Sequence, residues 1–170
     1  EVVIGLNLCP FARREYENER IRFAICAQHK QEDLLLEFAK ELERLEREPA
    51  LETTLLIFPN ALADFFDFLE LLDMAQGWLD AQGLGGVYQL ASFHPRYQFE
   101  GTAPNETSNY TNRSPWPMLH LLREASVEKA VAAHPDTSAI PAHNIALAQE
   151  KGLAYWQDLL LRLRKSTPPK

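Results

Sequence analysis

Residues 53–58, Thr53-Thr54-Leu55-Leu56-Ile57-Phe58, are the stretch of the sequence that decides the fold. The second half of the stretch is apolar without alternation, which is typical of a strand covered on both faces. Pro59-Asn60 ends it, and Asn60 is a candidate N-cap for a long helix that follows. The stretch therefore predicts a buried strand followed by a helix, the repeating unit of α/β proteins.

The segments on both sides of this strand continue the same pattern. Residues 21–27 alternate and are rich in strand-forming types, and residues 34–45 carry apolar side chains at helical spacing. Further along, a helix through residues 65–79 ends at a glycine cluster, and residues 87–93 form a third strand. Short connections between alternating strands and helices imply parallel strands joined by right-handed crossovers. We therefore predict a small three-stranded parallel sheet.

The remainder of the chain is predicted to be helical around one long loop. Three helices are expected at residues 117–125, 127–133 and 145–163, and Pro10 is expected to begin an N-terminal helix. Residues 94–116 form a polar loop, and residues 165–170 form a frayed tail. With neither a repeat nor a linker in the sequence, we predict a single α/β domain over residues 1–170.

The composition excludes several classes of partner. The chain has 17 Lys and Arg against 24 Asp and Glu, a formal net charge of −7, which argues against nucleic acid or an anionic membrane as the main partner. No apolar run approaches the roughly 18 residues of a membrane helix. Two cysteines, Cys9 and Cys26, are too few for a disulfide scaffold and are typical of the reducing cytoplasm. We therefore expect a cytoplasmic protein.

The carboxyl ends of the predicted strands mark the expected site, because ligands of open parallel α/β sheets bind outside these ends. The third strand runs into His94-Pro95, where the long loop begins. His94 is a candidate general base, since the unperturbed pKa of histidine lies near neutrality. The alternative is a structural histidine that hydrogen-bonds a loop carbonyl group.

The end of the long loop offers candidate ligands for an anion. Asn112, Arg113 and Ser114 provide amide, guanidinium and hydroxyl donors just before a predicted helix N-terminus, which suits a carboxylate or a phosphate. Arg113 would be the bidentate clamp, and Arg123 completes the candidate substrate-binding set. In the alternative, the polar side chains satisfy the turns of the loop and Arg113 binds backbone carbonyl groups.

A metal site is a further alternative. His120 and Glu124 are four residues apart in a predicted helix, hence on one face, and His94 would be the third ligand. An ordinary ion pair explains the same spacing. The sequence contains neither a phosphate-binding glycine loop nor a Cys-x-x-Cys pair, so it identifies no cofactor.

Cys9 is the candidate nucleophile. If Pro10 begins a helix, Cys9 lies at its cap, where the helix dipole and Arg13 would stabilise the thiolate. The apolar neighbours Leu8 and Phe11 favour the alternative of a buried structural cysteine. Cys26, inside an apolar strand, is expected to be inert.

Three strings of the sequence resemble a known family. They are Gly5-Leu6-Asn7-Leu8-Cys9-Pro10-Phe11-Ala12, then Ser92-Phe93-His94-Pro95, then residues 109–124 with the core Thr111-Asn112-Arg113-Ser114-Pro115. Together they resemble a bacterial and plastid family catalogued as domain of unknown function 1415, over Val2 to about Leu160. The resemblance implies a soluble bacterial or organellar protein, and it carries no activity, substrate or cofactor.

Three functions are compatible with these residues. The first is an enzyme on a small anionic substrate, with Cys9 and His94 catalytic and the Asn112–Ser114 segment binding the anion. The second is a metal-binding hydrolase that uses His94, His120 and Glu124. The third is a non-catalytic binding module in which the 105–118 loop, with its aromatic residues, contacts a partner.

Overall fold

The structure is a computed structural model that describes residues 2–134 and 136–165. The predicted frayed tail lies outside these residues except for Lys165, which ends a helix. The chain forms a single α/β domain with helices near both ends of the described part. The expected fold class is therefore confirmed at this level, and the details of the sheet differ.

Across the described residues, four strands form one mixed sheet: β1 (Ile21–Ile25), β2 (Thr53–Ile57), β3 (Tyr88–Phe93) and β4 (Met118–Arg123). Their order across the sheet is β1-β2-β4-β3. Strand β2 is parallel to β1, whereas β4 is antiparallel to both β2 and β3. The three predicted strands thus run in the same direction, and their C-terminal ends meet at one edge of the sheet.

The prediction of a three-stranded parallel sheet is wrong because residues 117–125 were expected to be helical. Leu, Met, Arg and Glu dominate this segment and all favour helices. The observed strand β4 has alternating burial instead, with Leu119 and Leu121 fully buried. Pairing with β2 and β3 on both sides satisfies its backbone and overrides the local helical preference.

Six helices occur in the described residues: α1 (Val2–Gly5), α2 (Ala12–Glu17), α3 (Gln31–Arg47), α4 (Phe65–Ala81), α5 (Glu124–Ala133) and α6 (Ala139–Lys165), with a 3₁₀ helix at Thr107–Thr111. Asp64 rather than Asn60 caps α4, because its Oδ1 accepts a hydrogen bond from Phe66 N at 2.8 Å. This correction moves the start of the helix to Phe65.

Helices α3 and α4 cover the inner face of the sheet, which we define as the face of Ala24, Leu56 and Leu119. The apolar side of α3 contributes Phe38 and that of α4 contributes Phe68, and both are fully buried in one core with these strand residues. Since each fully buried Leu or Phe side chain contributes about 1.5–3 kcal/mol, this layer is the main source of stability.

A second apolar cluster lies between α6 and the 3₁₀ helix. Its centre is Trp156, whose ring stacks on Tyr110 with centroids 6.1 Å apart. Helix α6 is broken at Gly152, whose φ of 75° and ψ of 161° are open only to glycine. Trp156 Nε1 donates to the Ala148 carbonyl oxygen across this break at 2.9 Å, which fixes the first half of α6 against the second.

None of the helices in the described part combines the length and the apolar character that crossing a bilayer requires.

The central position of β4 predicts a large cost for Leu119→Ala. This substitution removes a fully buried side chain from the inner face, so we expect a loss of about 2–5 kcal/mol in the free energy of unfolding. Leu161→Ala on the exposed side of α6 is the matched control and should change stability by less than about 0.5 kcal/mol. Urea denaturation measures both free energies of unfolding. If residues 117–125 formed an exposed helix, both substitutions would change the free energy of unfolding by the same small amount.

Candidate functional site

A cavity lies at the edge of the sheet where β3 ends. We call it the edge pocket; it has a volume of about 530 Å³, within the range of small-molecule sites. Four parts of the chain enclose it: the N-terminal segment, the end of β3, the long loop and the first half of α6. Its lining residues are Val3, Leu8, Cys9, Phe93, Phe99, Thr102, Ser108, Thr111, Asn112, Ile140, Pro141, Asn144 and Ile145.

One buried side chain, Asn109, shapes the loop that forms the pocket wall. Asn109 Oδ1 accepts from Phe99 N at 3.0 Å and from Thr102 Oγ1 at 2.9 Å, and Asn109 Nδ2 donates to the Ala103 carbonyl oxygen at 2.9 Å. These bonds hold residues 99–103 against the 3₁₀ helix. Because both parts line the edge pocket, its wall exists before any ligand binds.

Asn144 joins α6 to the N-terminal segment inside the pocket. Its Nδ2 donates to the Leu8 carbonyl oxygen at 2.8 Å, which positions the neighbouring Cys9. Its Oδ1 is buried and has no hydrogen-bond partner among the described residues. A buried unpaired acceptor costs about 1–3 kcal/mol, so this oxygen lacks a donor that would stabilise it.

Cys9 lies in the wall of the edge pocket as a half-buried free thiol. The predicted helix at Pro10 is wrong, because α2 begins at Ala12 with Phe11 as its N-cap. Cys9 therefore lies three residues before the first residue of α2 and not at the cap position that the sequence predicted. Cys26 is buried in the inner core, and burial raises the pKa of its thiol.

His94 is fully buried, and both of its ring nitrogens are used within the chain. Nε2 donates to the Leu62 carbonyl oxygen at 2.9 Å, and Nδ1 accepts from Arg96 N at 3.0 Å. Burial lowers the pKa of His94, which agrees with this neutral tautomer. The geometry matches the structural alternative, in which His94 links the start of the loop to the β2–α4 connection, and leaves neither nitrogen free for general-base catalysis.

Arg113 also serves the loop. Its Nε donates to the Tyr97 carbonyl oxygen at 3.1 Å and its Nη2 to that of Pro104 at 2.8 Å. The guanidinium carbon lies 4.3 Å from the centroid of the Tyr110 ring, a cation–π contact. Two N–H groups and one face of the guanidinium group are thus used within the chain, so the geometry does not support the predicted bidentate anion clamp.

The other predicted substrate-binding residues are distributed over the fold. Asn112 lines the edge pocket, and its Nδ2 donates to the Ser92 carbonyl oxygen at 3.3 Å. Ser114 Oγ donates to the Trp116 carbonyl oxygen at 2.5 Å, which closes a turn. Arg123 donates to the carbonyl oxygens of Leu45, in the last turn of α3, and of Leu51, which follows α3, away from the loop. Among the predicted site residues, Cys9 and Asn112 are the two that line the pocket.

His120 and Glu124 do not form the expected helical pair. His120 is on β4, where it lies between Leu55 and Ala91, and Glu124 begins α5. The described residues contain no group of three or more His, Cys, Asp or Glu side chains placed to hold a metal ion. The alternative set His94, His120 and Glu124 therefore does not come together as a metal site in this structure.

Comparison with protein families assigns the chain to a group. The family model described as "Protein of unknown function (DUF1415)" matches residues 1–158. The chain belongs to the DUF1415 family. Neither the curated proteins nor the solved structures provide a match to it.

In this DUF1415 protein, the sequence alone did not single out Asn109 and Asn144. Asn109 belongs to a run of polar residues that all suit a loop, and Asn144 lies in a helix with exposed neighbours. A partial signal was available for Asn109, because it lies in the string that carries the family resemblance. Their roles depend on contacts with residues distant in sequence, which no local pattern reveals.

His120 provides a test of the DUF1415 structure through its pKa. Its Nε2 is buried without a hydrogen-bond partner in the described residues, and burial lowers its pKa from 6.5 to about 4. Because the unfolded chain binds this proton more tightly, stability contributed by neutral His120 is lost as the pH falls below about 6.5. Between pH 7.5 and pH 5 we expect the wild type to lose about 2 kcal/mol more than His120→Gln.

Urea denaturation at the two pH values measures this difference. His143→Gln, at an exposed position of α6, is the control and should retain the pH dependence of the wild type. If the wild type and His120→Gln showed equal pH dependence, His120 would be solvated, which would contradict its buried position on β4.

Proposed function

We propose that the edge pocket binds a small organic molecule and that this binding is the function of the domain. The observation that carries the proposal is a cavity of about 530 Å³ enclosed by four separate parts of the chain. Support comes from the buried Asn109, which builds the wall without a ligand, because a preformed wall reduces the entropy cost of binding.

The lining favours an uncharged and mainly apolar ligand. None of the described lining residues is charged, so a carboxylate or phosphate buried here would lack a cation to pair with. Hydroxyl and amide groups from Thr102, Ser108 and Asn112 offer hydrogen bonds along one wall, and Asn144 offers a buried acceptor. The ligand class is therefore a neutral molecule with an apolar body and at least one donor group. This replaces the anionic substrate expected from the sequence.

Binding is favoured over catalysis by the same lining. Cys9 is the one thiol in the wall, and no described His, Asp, Glu, Lys or Arg lines the pocket to act as its acid or base. An enzymatic role would have Cys9 as nucleophile, as the sequence suggests. The metal-dependent hydrolase is less favoured, because its three ligands are not grouped.

The alternative of a loop that binds a partner protein is also less favoured. Tyr110, the aromatic residue at the centre of the 105–118 loop, is buried against Trp156. One of the two aromatic side chains of the loop is thus used within the chain, and the other, Trp116, is half-buried. A cytoplasmic location remains part of the proposal and is supported by the two free cysteines.

A matched pair of probes tests the ligand class. 2-Naphthol and 2-naphthoate share one ring system, and at pH 7 the first is neutral and the second is anionic. We expect titration calorimetry to detect 2-naphthol, with at least about tenfold weaker binding of 2-naphthoate, which corresponds to about 1.4 kcal/mol. The expected difference arises because the pocket would desolvate the carboxylate without a compensating cation.

Two tryptophan substitutions on α6 locate the binding. Ile145→Trp places a bulky ring in the pocket wall and should abolish 2-naphthol binding, whereas Leu161→Trp on the exposed side of the same helix should retain it. Tighter binding of 2-naphthoate would favour the anionic substrate. No binding of either probe, or equal binding by both variants, would contradict the proposed site.

A further inference from the structure

Strand β1 leaves one row of backbone groups unpaired. Thr53 N donates to the Arg20 carbonyl oxygen and Cys26 N donates to that of Ile57, so the even-numbered residues of this segment face β2. Alternation along a strand then points the N–H and C=O groups of Ile21, Phe23 and Ile25 away from the sheet. Since β1 is the first strand in the order, these groups have no neighbouring strand among the described residues.

The side chains of the same three residues form an apolar row. They lie on the outer face of the sheet, opposite to Ala24 and Cys26, which are buried in the inner core. Phe23 is 46% exposed and Ile25 is 40% exposed, which is unusual for neighbouring apolar side chains on one strand. Open backbone groups and exposed apolar side chains thus occur together on β1.

The opposite edge strand, β3, differs from β1 because other parts of the chain bind its outward-facing backbone groups. Glu124 N donates to the Val87 carbonyl oxygen, which shows that the even-numbered residues of β3 face outward. At one end, Tyr88 N donates to the Leu84 carbonyl oxygen, and at the other, Asn112 Nδ2 donates to that of Ser92. The loops of the chain therefore close both ends of the β3 edge, whereas no described residue closes the β1 edge.

We propose that β1 pairs with β1 of a second copy of this chain in antiparallel orientation, which joins the two four-stranded sheets into one. The two-fold axis passes between the two Phe23 residues. In this register Ile21 of each copy faces Ile25 of the other, and all three pairs exchange backbone hydrogen bonds. The row Ile21, Phe23, Ile25 is symmetric about Phe23, so it matches the same row of a second antiparallel copy, and this favours a second copy over an unrelated peptide.

The charges of the strand agree with this register. Arg22 already forms a bidentate ion pair with Glu41, at 2.6 and 3.0 Å, on the inner face. Pairing around Phe23 places Arg22 opposite Ala24 of the other copy, so no like charges meet. Pairing around Arg22 would place the two arginines opposite each other, which is destabilising. Charge therefore favours the register that also aligns the apolar row.

Sedimentation of charge variants tests the proposed dimer. We expect the wild type to be dimeric and Phe23→Lys and Phe23→Glu each to raise the dimer dissociation constant by about tenfold or more, because like charges would face each other across the axis. An equimolar mixture of the two variants should recover dimers, since opposite charges then meet. Phe66→Lys, at a 75% exposed position on α4, is the control and should remain dimeric.

Each contrary outcome overturns the proposal. If the wild type remained monomeric at about 100 μM, the β1 edge would not self-associate. Dimeric Phe23→Lys, or a mixture that fails to recover dimers, would exclude the pairing around Phe23. Circular dichroism and urea denaturation of each variant identify misfolding, and Ile25→Lys provides a second edge variant that should also dissociate.

Discussion

The edge pocket depends on the hydrogen bonds of the Asn109 side chain. This side chain is fully buried, and its two polar atoms bind Phe99, Thr102 and Ala103, so one amide organises a loop of over twenty residues. A loop of this length without internal structure would have a large conformational entropy, and its backbone groups would need water. The hydrogen bonds of Asn109 and the guanidinium of Arg113 replace that water within the loop.

The order of the strands leaves most of this loop free to build the pocket wall. Since β4 lies between β2 and β3 and runs antiparallel to both, the chain must leave β3 and enter β4 at the same edge. Residues 94–117 span only this short distance, so most of them are available to build a wall. Helix α6 and the N-terminal segment complete the enclosure, and the break at Gly152 separates the half of α6 that lines the pocket from the half that packs on Tyr110.

The sequence predicted the parts of the fold that depend on local periodicity. The strands predicted at residues 21–27, 53–58 and 87–93 and the helices between them are present, and the C-terminal ends of these strands meet at one edge of the sheet. Residues 118–123 were wrongly predicted to be helical, because strand pairing outweighs their local helical preference. His94 and Arg113 were singled out for their chemistry, yet their hydrogen bonds are to backbone N–H and carbonyl groups, which sequence spacing cannot show. The DUF1415 family model covers the three sequence strings that carry the family resemblance, but it assigns no role to their residues.

The position of Cys9 allows a direct test of whether the edge pocket is the binding site. The measurement is the rate at which iodoacetamide alkylates Cys9 in the folded protein, with and without saturating 2-naphthol, and with buried Cys26 as the internal reference. We expect Cys9 to react, 2-naphthol to slow this reaction several-fold, and Cys26 to react only after unfolding. An alkylation rate of Cys9 that is unaffected by bound 2-naphthol would place the ligand elsewhere and contradict the account.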